Sequence, residues 1–134
     1  MPDLAAYFHH AGWPAEELEP GVWHSTFADA TGAPYHLYVL AADDWLHLAV
    51  SPLLPGVGDG QPAQLYAALL RANQELRLVR LALDADDDIN LLADLPAAHA
   101  SAALFAQTLE LLAEYTNTLA PQLRVAAAEP NSLP

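Results

Sequence analysis

The residue types that can do chemistry in this chain are six histidines and 17 carboxylates, and their spacing decides which chemistry is open to them. The run Asp84-Ala85-Asp86-Asp87-Asp88-Ile89-Asn90 alternates oxygen-bearing side chains like the ligands of a calcium-binding EF-hand loop. Such a loop needs glycine at its sixth position and a bidentate glutamate at its twelfth. Ile89 and Leu95 stand there instead, so the run reads as a solvated hairpin turn. His24, His36 and His47 fall on three successive candidate strands, at the parity opposite to Leu37, Val39, Leu46, Leu48 and Val50, which puts all three on the outer face of one sheet. With turns centred near residue 31 and between residues 42 and 43, Tyr38 lies opposite both His24 and His47. Those two imidazoles are then about 9 to 10 Å apart, too far to share a metal ion held at about 2 Å from each. No metal site is expected in this register, and a slip of one residue would reopen the question. His9, His10 and His99 have no carboxylate at helical spacing and read as surface residues.

Other chemistries fail on the same test. Ser25, Ser51, Ser101 and Ser132 lie in no nucleophile-elbow pattern. The stretch Pro55-Gly56-Val57-Gly58-Asp59-Gly60 has the composition of a phosphate loop without its Lys-Ser/Thr ending, and no cation follows until Arg71. The pairs Glu16-Glu17 and Asp43-Asp44 sit on loops, with nothing to set their acidities apart for acid-base work. Cysteine is absent, which removes thiol catalysis and thiolate metal sites. Neither an enzyme nor a cofactor is expected. What remains is aromatic: Tyr38 and Trp45 share the outward parity of His24, His36 and His47, while Trp13 and Trp23 stand at element edges. Exposed aromatics gathered on one sheet face predict a contact surface for a protein.

The elements that must carry these residues follow from periodicity. Leu4, Tyr7, Phe8 and Ala11 make one helical stripe that Gly12 ends. An acidic link through Glu16, Glu17 and Glu19 leads to Pro20-Gly21, after which residues 22–28, 35–40 and 45–50 read as a three-stranded meander. Prolines and glycines from Pro52 to Pro62 predict a loop. Residues 63–76 form a helix in which Leu65, Leu69, Ala72 and Leu76 make a stripe that Tyr66 and Leu70 widen to two sides. Residues 78–83 and 89–93 make a second hairpin around the acidic turn, and residues 101–119 make the longest amphipathic helix, closed by Pro121. The order α-β-β-β-α-β-β-α predicts an α+β sandwich of two layers, an antiparallel sheet with helices on one face, over residues 1–121. Residues 122–134 read as a flexible tail.

Composition bounds the partners. The chain has 134 residues, 54% of them apolar, and a net charge of -13, with four arginines and no lysine. One domain of this size buries enough surface for a single core. The field around it opposes phosphate backbones and anionic lipids, so neither nucleic acid nor membrane is an expected partner. Met1-Pro2-Asp3-Leu4 lacks the pattern of a signal peptide, and a cytoplasmic location is expected.

The segment Leu65-Tyr66-Ala67-Ala68-Leu69-Leu70-Arg71-Ala72-Asn73-Gln74-Glu75-Leu76 resembles the central helix of the YbjN family, which is related in fold to the type III secretion chaperones. Arg80-Leu81-Ala82-Leu83-Asp84, the acidic turn, and the run from Leu91 to Leu95-Pro96 resemble that family's hairpin with its Leu-Pro step before a final long helix. The likeness is close over Leu65 to Leu123 and holds only in element order before that. It implies a small acidic module, often dimeric, that holds an extended or partly unfolded polypeptide without nucleotide hydrolysis. The leading reading is a non-enzymatic protein-binding module, chaperone-like or adaptor-like. It would meet its partner through Tyr38, Trp45, His24, His36 and His47 and form a homodimer through the helix of Leu65, Leu69 and Leu76 or through the outer sheet face. The alternative is a small-molecule or metal-binding domain that uses the outer-face histidines. Because the acids gather in connections, the expected partner is apolar at its centre and basic at its margins.

Overall fold

Alternation of apolar and polar side chains decides which face of each strand meets the helices. In β3 (Pro34–Ala42), Tyr35, Leu37 and Val39 are buried while His36, Tyr38 and Leu40 are exposed. In β4 (Trp45–Leu54), Leu46, Leu48 and Val50 are buried. The computed structural model describes residues 1–56 and 63–128. Over these it shows one antiparallel sheet, adding β1 (Glu16–Glu19), β2 (Val22–Ala28), β5 (Arg80–Leu83) and β6 (Ile89–Pro96), in the spatial order β1-β2-β3-β4-β6-β5. Helices α1 (Leu4–Ala11), α2 (Ala63–Asn73) and α3 (Ala102–Ala128) make the second layer. The expected α+β order is present, with one strand added at the edge. That strand is β1, where three glutamates in four residues offer no apolar alternation. All four of its residues are exposed, and β1 joins the sheet by pairing with β2 alone.

The core is centred on Phe105, fully buried, which meets Phe8 edge-on at 5.0 Å between centroids and Tyr7 at 5.6 Å. Thr108 and Thr116 are buried along the same helix, and their hydroxyls donate to the Leu104 and Leu112 carbonyls one turn back, 2.7 Å in each case. These bonds spare the core two unpaired polar groups.

Several boundaries differ from expectation: α2 stops at Asn73, β5 begins only at Arg80, β6 runs on to Pro96, and β4 and α3 are both longer than expected. Strand β4 continues through Pro52 to Leu54, and its pairing with β6 becomes irregular between Val50 and Leu54. A proline lacking its N–H is tolerated where the ladder is already interrupted. The glycine-rich stretch expected as a loop lies, from residue 57 to residue 62, outside the described residues. Helix α3 does not stop at Pro121 but runs to Ala128. An internal proline costs a helix about 3 kcal/mol, but Ala120 and Leu123 on either side are buried. Arg124 also donates to the Tyr35 hydroxyl at 2.5 Å. The first part of the expected tail is therefore helix, and residues 129–134 lie outside the described residues.

At the β5 edge, α2 ends on Asn73, whose side-chain amide accepts from the Leu81 N–H at 2.8 Å and donates to the Leu81 carbonyl at 3.2 Å. The amide stands where the peptide group of a further strand would pair.

Candidate functional site

With all three helices on one side, the register assigns the side chains of the other side to rows that cross the strands. One row is Glu16, His24, Tyr38, Ala49, Leu92 and Arg80, and it spans all six strands. The next is Glu19, Val22, Leu40, His47 and Asp94, followed by Ala42, Trp45 and Pro96. Tyr38, Leu40 and Trp45 are 37%, 42% and 42% exposed. Among the described residues, no helix or strand covers this face. Trp13 and Trp23 do not join it. Each is partly buried on the core side, Trp23 against Phe8 and Trp13 against Phe27.

The expectation that Tyr38 lies opposite both His24 and His47 holds for His24 and fails for His47. Tyr38 pairs with Ala49, and His47 pairs with Leu40. The turn is centred one residue later than expected, because Ala42 pairs with Trp45 and leaves Asp43 and Asp44 as a two-residue connection with φ of 54° and 64°. Two successive positive φ values give the primed turn whose twist matches antiparallel strands, and aspartate is among the few residues besides glycine that adopt them.

The histidines consequently separate. His24 Nε2 and His36 Nδ1 are 2.9 Å apart in a hydrogen bond. Both rings lie against Tyr38, at centroid distances of 5.1 and 6.3 Å. The Glu16 carboxylate stands 3.9 Å from His24 Nδ1. The His24–His36 contact is diagonal between neighbouring strands and escaped sequence reading, which considered only residues directly opposite one another. His47 turns instead to Asp94, with Nδ1 2.7 Å from Oδ1, while Arg80 holds the other carboxylate oxygen at 2.8 Å. Partial burial alone would raise the Asp94 carboxyl. Hydrogen bonds from His47 and Arg80, with their charge, outweigh that and hold it below the ordinary aspartate value. Among the described residues, no group of three or more histidine, cysteine or acidic side chains is placed to hold a metal ion.

The other candidates from sequence also have definite places. In the acidic turn, Asp84 Oδ1 accepts from the Asp86 and Asp88 N–H groups at 2.8 and 3.1 Å, and Oδ2 accepts from the Asn90 amide at 3.1 Å. Asp88 accepts from the Gly56 N–H at 2.6 Å. These oxygens serve the protein's own donors. The Ser25 hydroxyl donates to the Pro14 carbonyl. His9, His10 and His99 are exposed, as expected. On α2, Leu65 and Leu69 are buried in the chain's own core, while Leu76, expected on the same stripe, lies beyond the helix, which ends at Asn73, and packs against the core from the segment that follows. The exposed apolar residues of that helix are Tyr66 and Leu70, 38% and 71% exposed. No described helix is long and apolar enough to cross a membrane.

With this geometry in place, likenesses to known proteins can be set beside it. The family model YbjN, described as "Putative bacterial sensory transduction regulator", matches residues 3–124. Among solved structures, a chain of the ExsC-ExsE complex matches with a TM-score of 0.62 at 17% identity, covering 95% of this chain and 92% of that one. A chain of the heterodimeric ExoU-SpcU complex from the type III secretion system of Pseudomonas aeruginosa matches at 0.63 and 17%, covering 89% and 96%. A chain in the structure of the Yersinia pestis type III secretion chaperone SycH with a stable fragment of YscM2 matches at 0.58 and 24%, covering 87% and 95%. No curated protein matches the chain. At these identities the solved structures share the fold and no more, whereas the family model spans nearly the whole sequence: the chain belongs to the YbjN family.

Proposed function

We propose that this chain is a non-enzymatic protein-binding module, chaperone-like or adaptor-like, that holds a partner polypeptide against the open face of its sheet. The observation that carries this reading is the exposure of Tyr38, Leu40 and Trp45 side by side on that face. Contiguous exposed apolar side chains rimmed by polar ones mark interaction sites, and tyrosine and tryptophan are enriched where such sites are most tightly packed. The fold supports it too, since similar chains occur in chaperone complexes, including the HopA1-SchA chaperone-effector complex. Against catalysis stands the use of the polar groups. Asp94 is neutralised by Arg80 and His47, His24 is bonded to His36, and Ser25 is bonded to backbone.

The module works in the cytoplasm as a homodimer in this reading. Since Leu65 and Leu69 face inward, a second copy meets Tyr66 and Leu70 on α2 and leaves the open face to the partner. The test is affinity capture from native lysate with the wild-type chain, a Tyr38→Ser/Trp45→Ser variant and a Leu70→Glu variant. The expected outcome is a protein captured by the wild type and lost with the face variant, while sedimentation shows the Leu70→Glu chain as a monomer. Capture unaffected by the face variant would refute the reading, as would a wild type that is monomeric and captures nothing.

A further inference from the structure

The open face is not evenly charged. Its β5–β6 side is internally balanced, with Arg80 and Asp94 at 2.8 Å and His47 on the same carboxylate. The opposite corner, where β1 runs beside β2 and the β3–β4 turn closes, is different. Register places Glu16 and Glu19 on the open face there, in rows with His24 and with Val22 and Leu40. Asp43 and Asp44 project from the adjoining turn beyond the Ala42–Trp45 pair, and both are exposed. Among the described residues, Glu19, Asp43 and Asp44 have no cationic partner, and the contact of Glu16 is the 3.9 Å approach to His24. Between these four carboxylates lie Leu40 and Trp45, each 42% exposed.

We infer that this corner is the docking point for the partner, and that the docking segment is an apolar stretch flanked by lysines or arginines. The inference rests on the protein-binding reading above and narrows it to one region and one chemistry. Leu40 and Trp45 supply apolar area at the centre. The carboxylates around them repel an acidic segment and attract a basic one, which governs encounter and choice of partner more than final affinity. A flanking guanidinium or ammonium also gains from the faces of Trp45 and Tyr38. A second copy of this chain is a poor occupant. It would bring 17 further carboxylates and four arginines to the contact, and its Arg80, the arginine on this face, is already bound to Asp94. Like charges set opposite each other across an interface cost affinity.

The test measures fluorescence anisotropy with two labelled synthetic peptides that share a leucine-phenylalanine centre, one flanked by lysines and the other by glutamates. Three variants of the full chain are compared: Glu16→Gln/Glu19→Gln/Asp43→Asn/Asp44→Asn at the corner, Leu40→Ser/Trp45→Ser between the carboxylates, and Glu110→Gln/Glu114→Gln on the exposed side of α3 as the control. The lysine-flanked peptide is expected to bind and the glutamate-flanked one not to. Neutralising the corner should weaken binding about tenfold at low salt and less at high salt, the Leu40/Trp45 variant should weaken it at both, and the α3 control should change it little. The inference is overturned if neither peptide binds, if the α3 pair matters as much as the corner, or if the glutamate-flanked peptide binds equally well. If the Tyr38→Ser/Trp45→Ser chain loses its captured partner while the corner variant keeps it at low salt, the protein-binding reading survives and the charged corner does not.

Discussion

Two acidic hairpin turns, Asp43-Asp44 and Asp84 to Asp88, look alike in composition and do opposite things. The first joins β3 to β4 with only two residues, both exposed and at positive φ, and among the described residues neither carboxylate makes a hydrogen bond or ion pair. The second uses its charge internally. Asp84 accepts two backbone N–H groups and the Asn90 amide, and Asp88 accepts the Gly56 N–H, tying the turn to the end of β4. In one turn the aspartates serve as conformers and leave their charge free. In the other, Asp84 and Asp88 serve as acceptors, and Asp87 alone takes a left-handed φ, of 61°. A count of acids along the chain cannot separate the two roles.

The contrast can be broken most decisively at Asp84. Asp84→Ala strands the Asp86 and Asp88 N–H groups and the Asn90 amide, and unmade hydrogen bonds cost more than made ones return. The expected result is a Tm several degrees lower by calorimetry, and an unchanged Tm would mean that the second turn is as free as the first. Next in size is Asp43→Val, which places a β-branched residue in the left-handed region and should destabilise by about 1–2 kcal/mol in urea titration. Little change there would show that the β3–β4 turn does not depend on its conformers.

A smaller effect separates the turns by pH. Burial alone would raise the Asp84 carboxyl, but bonds from Asn90 and from the Asp86 and Asp88 backbone reverse this and leave it below the ordinary value of 3.8. A carboxyl depressed in the fold stabilises it above its unfolded value and ceases to do so as the pH falls through the folded one. Tm should therefore decline on acidification below about pH 4, and less steeply in Asp84→Asn. Asp94 and Asp29, lowered by their own partners, sustain the remaining slope. If Asp84→Asn leaves the slope unaltered, the committed charge is not committed. The smallest expected effect is on stability in Asp43→Asn/Asp44→Asn. Asparagine suits both φ values, so the Tm should stay within a degree or so of wild type while the lysine-flanked peptide loses affinity.

Much of the architecture was legible because it rests on alternation. The parity of Leu37, Val39, Leu46 and Leu48 was enough to assign the core face and, by subtraction, to put Tyr38, Trp45 and the three histidines on the other. What escaped depends on information that pattern does not carry. Strand β1 is held by backbone pairing, to which Glu16, Glu17 and Glu19 contribute no signal of their own. The β3–β4 register turns on which two residues of Ala41-Ala42-Asp43-Asp44 make the bend, and without an Asn-Gly pair the centre expected between residues 42 and 43 lies one residue too early. That choice moved His47 from Tyr38 to Asp94, and so determined which histidines meet. The passage of α3 through Pro121 was hidden because local propensity says stop while burial of Leu123 says continue, and burial is a property of the whole fold.

The Asn73 amide on Leu81 has a consequence for how these molecules can aggregate. A sheet with two open edges is a monomer in the polymer sense, able to grow from both ends into a fibre. Here one end is stoppered by the chain itself, and the other, β1, carries Glu16, Glu17 and Glu19, whose like charges oppose the β1 of another copy. The molecule is then a chain terminator for its own polymerisation, and removing a single amide, Asn73→Ala, would uncover the β5 end.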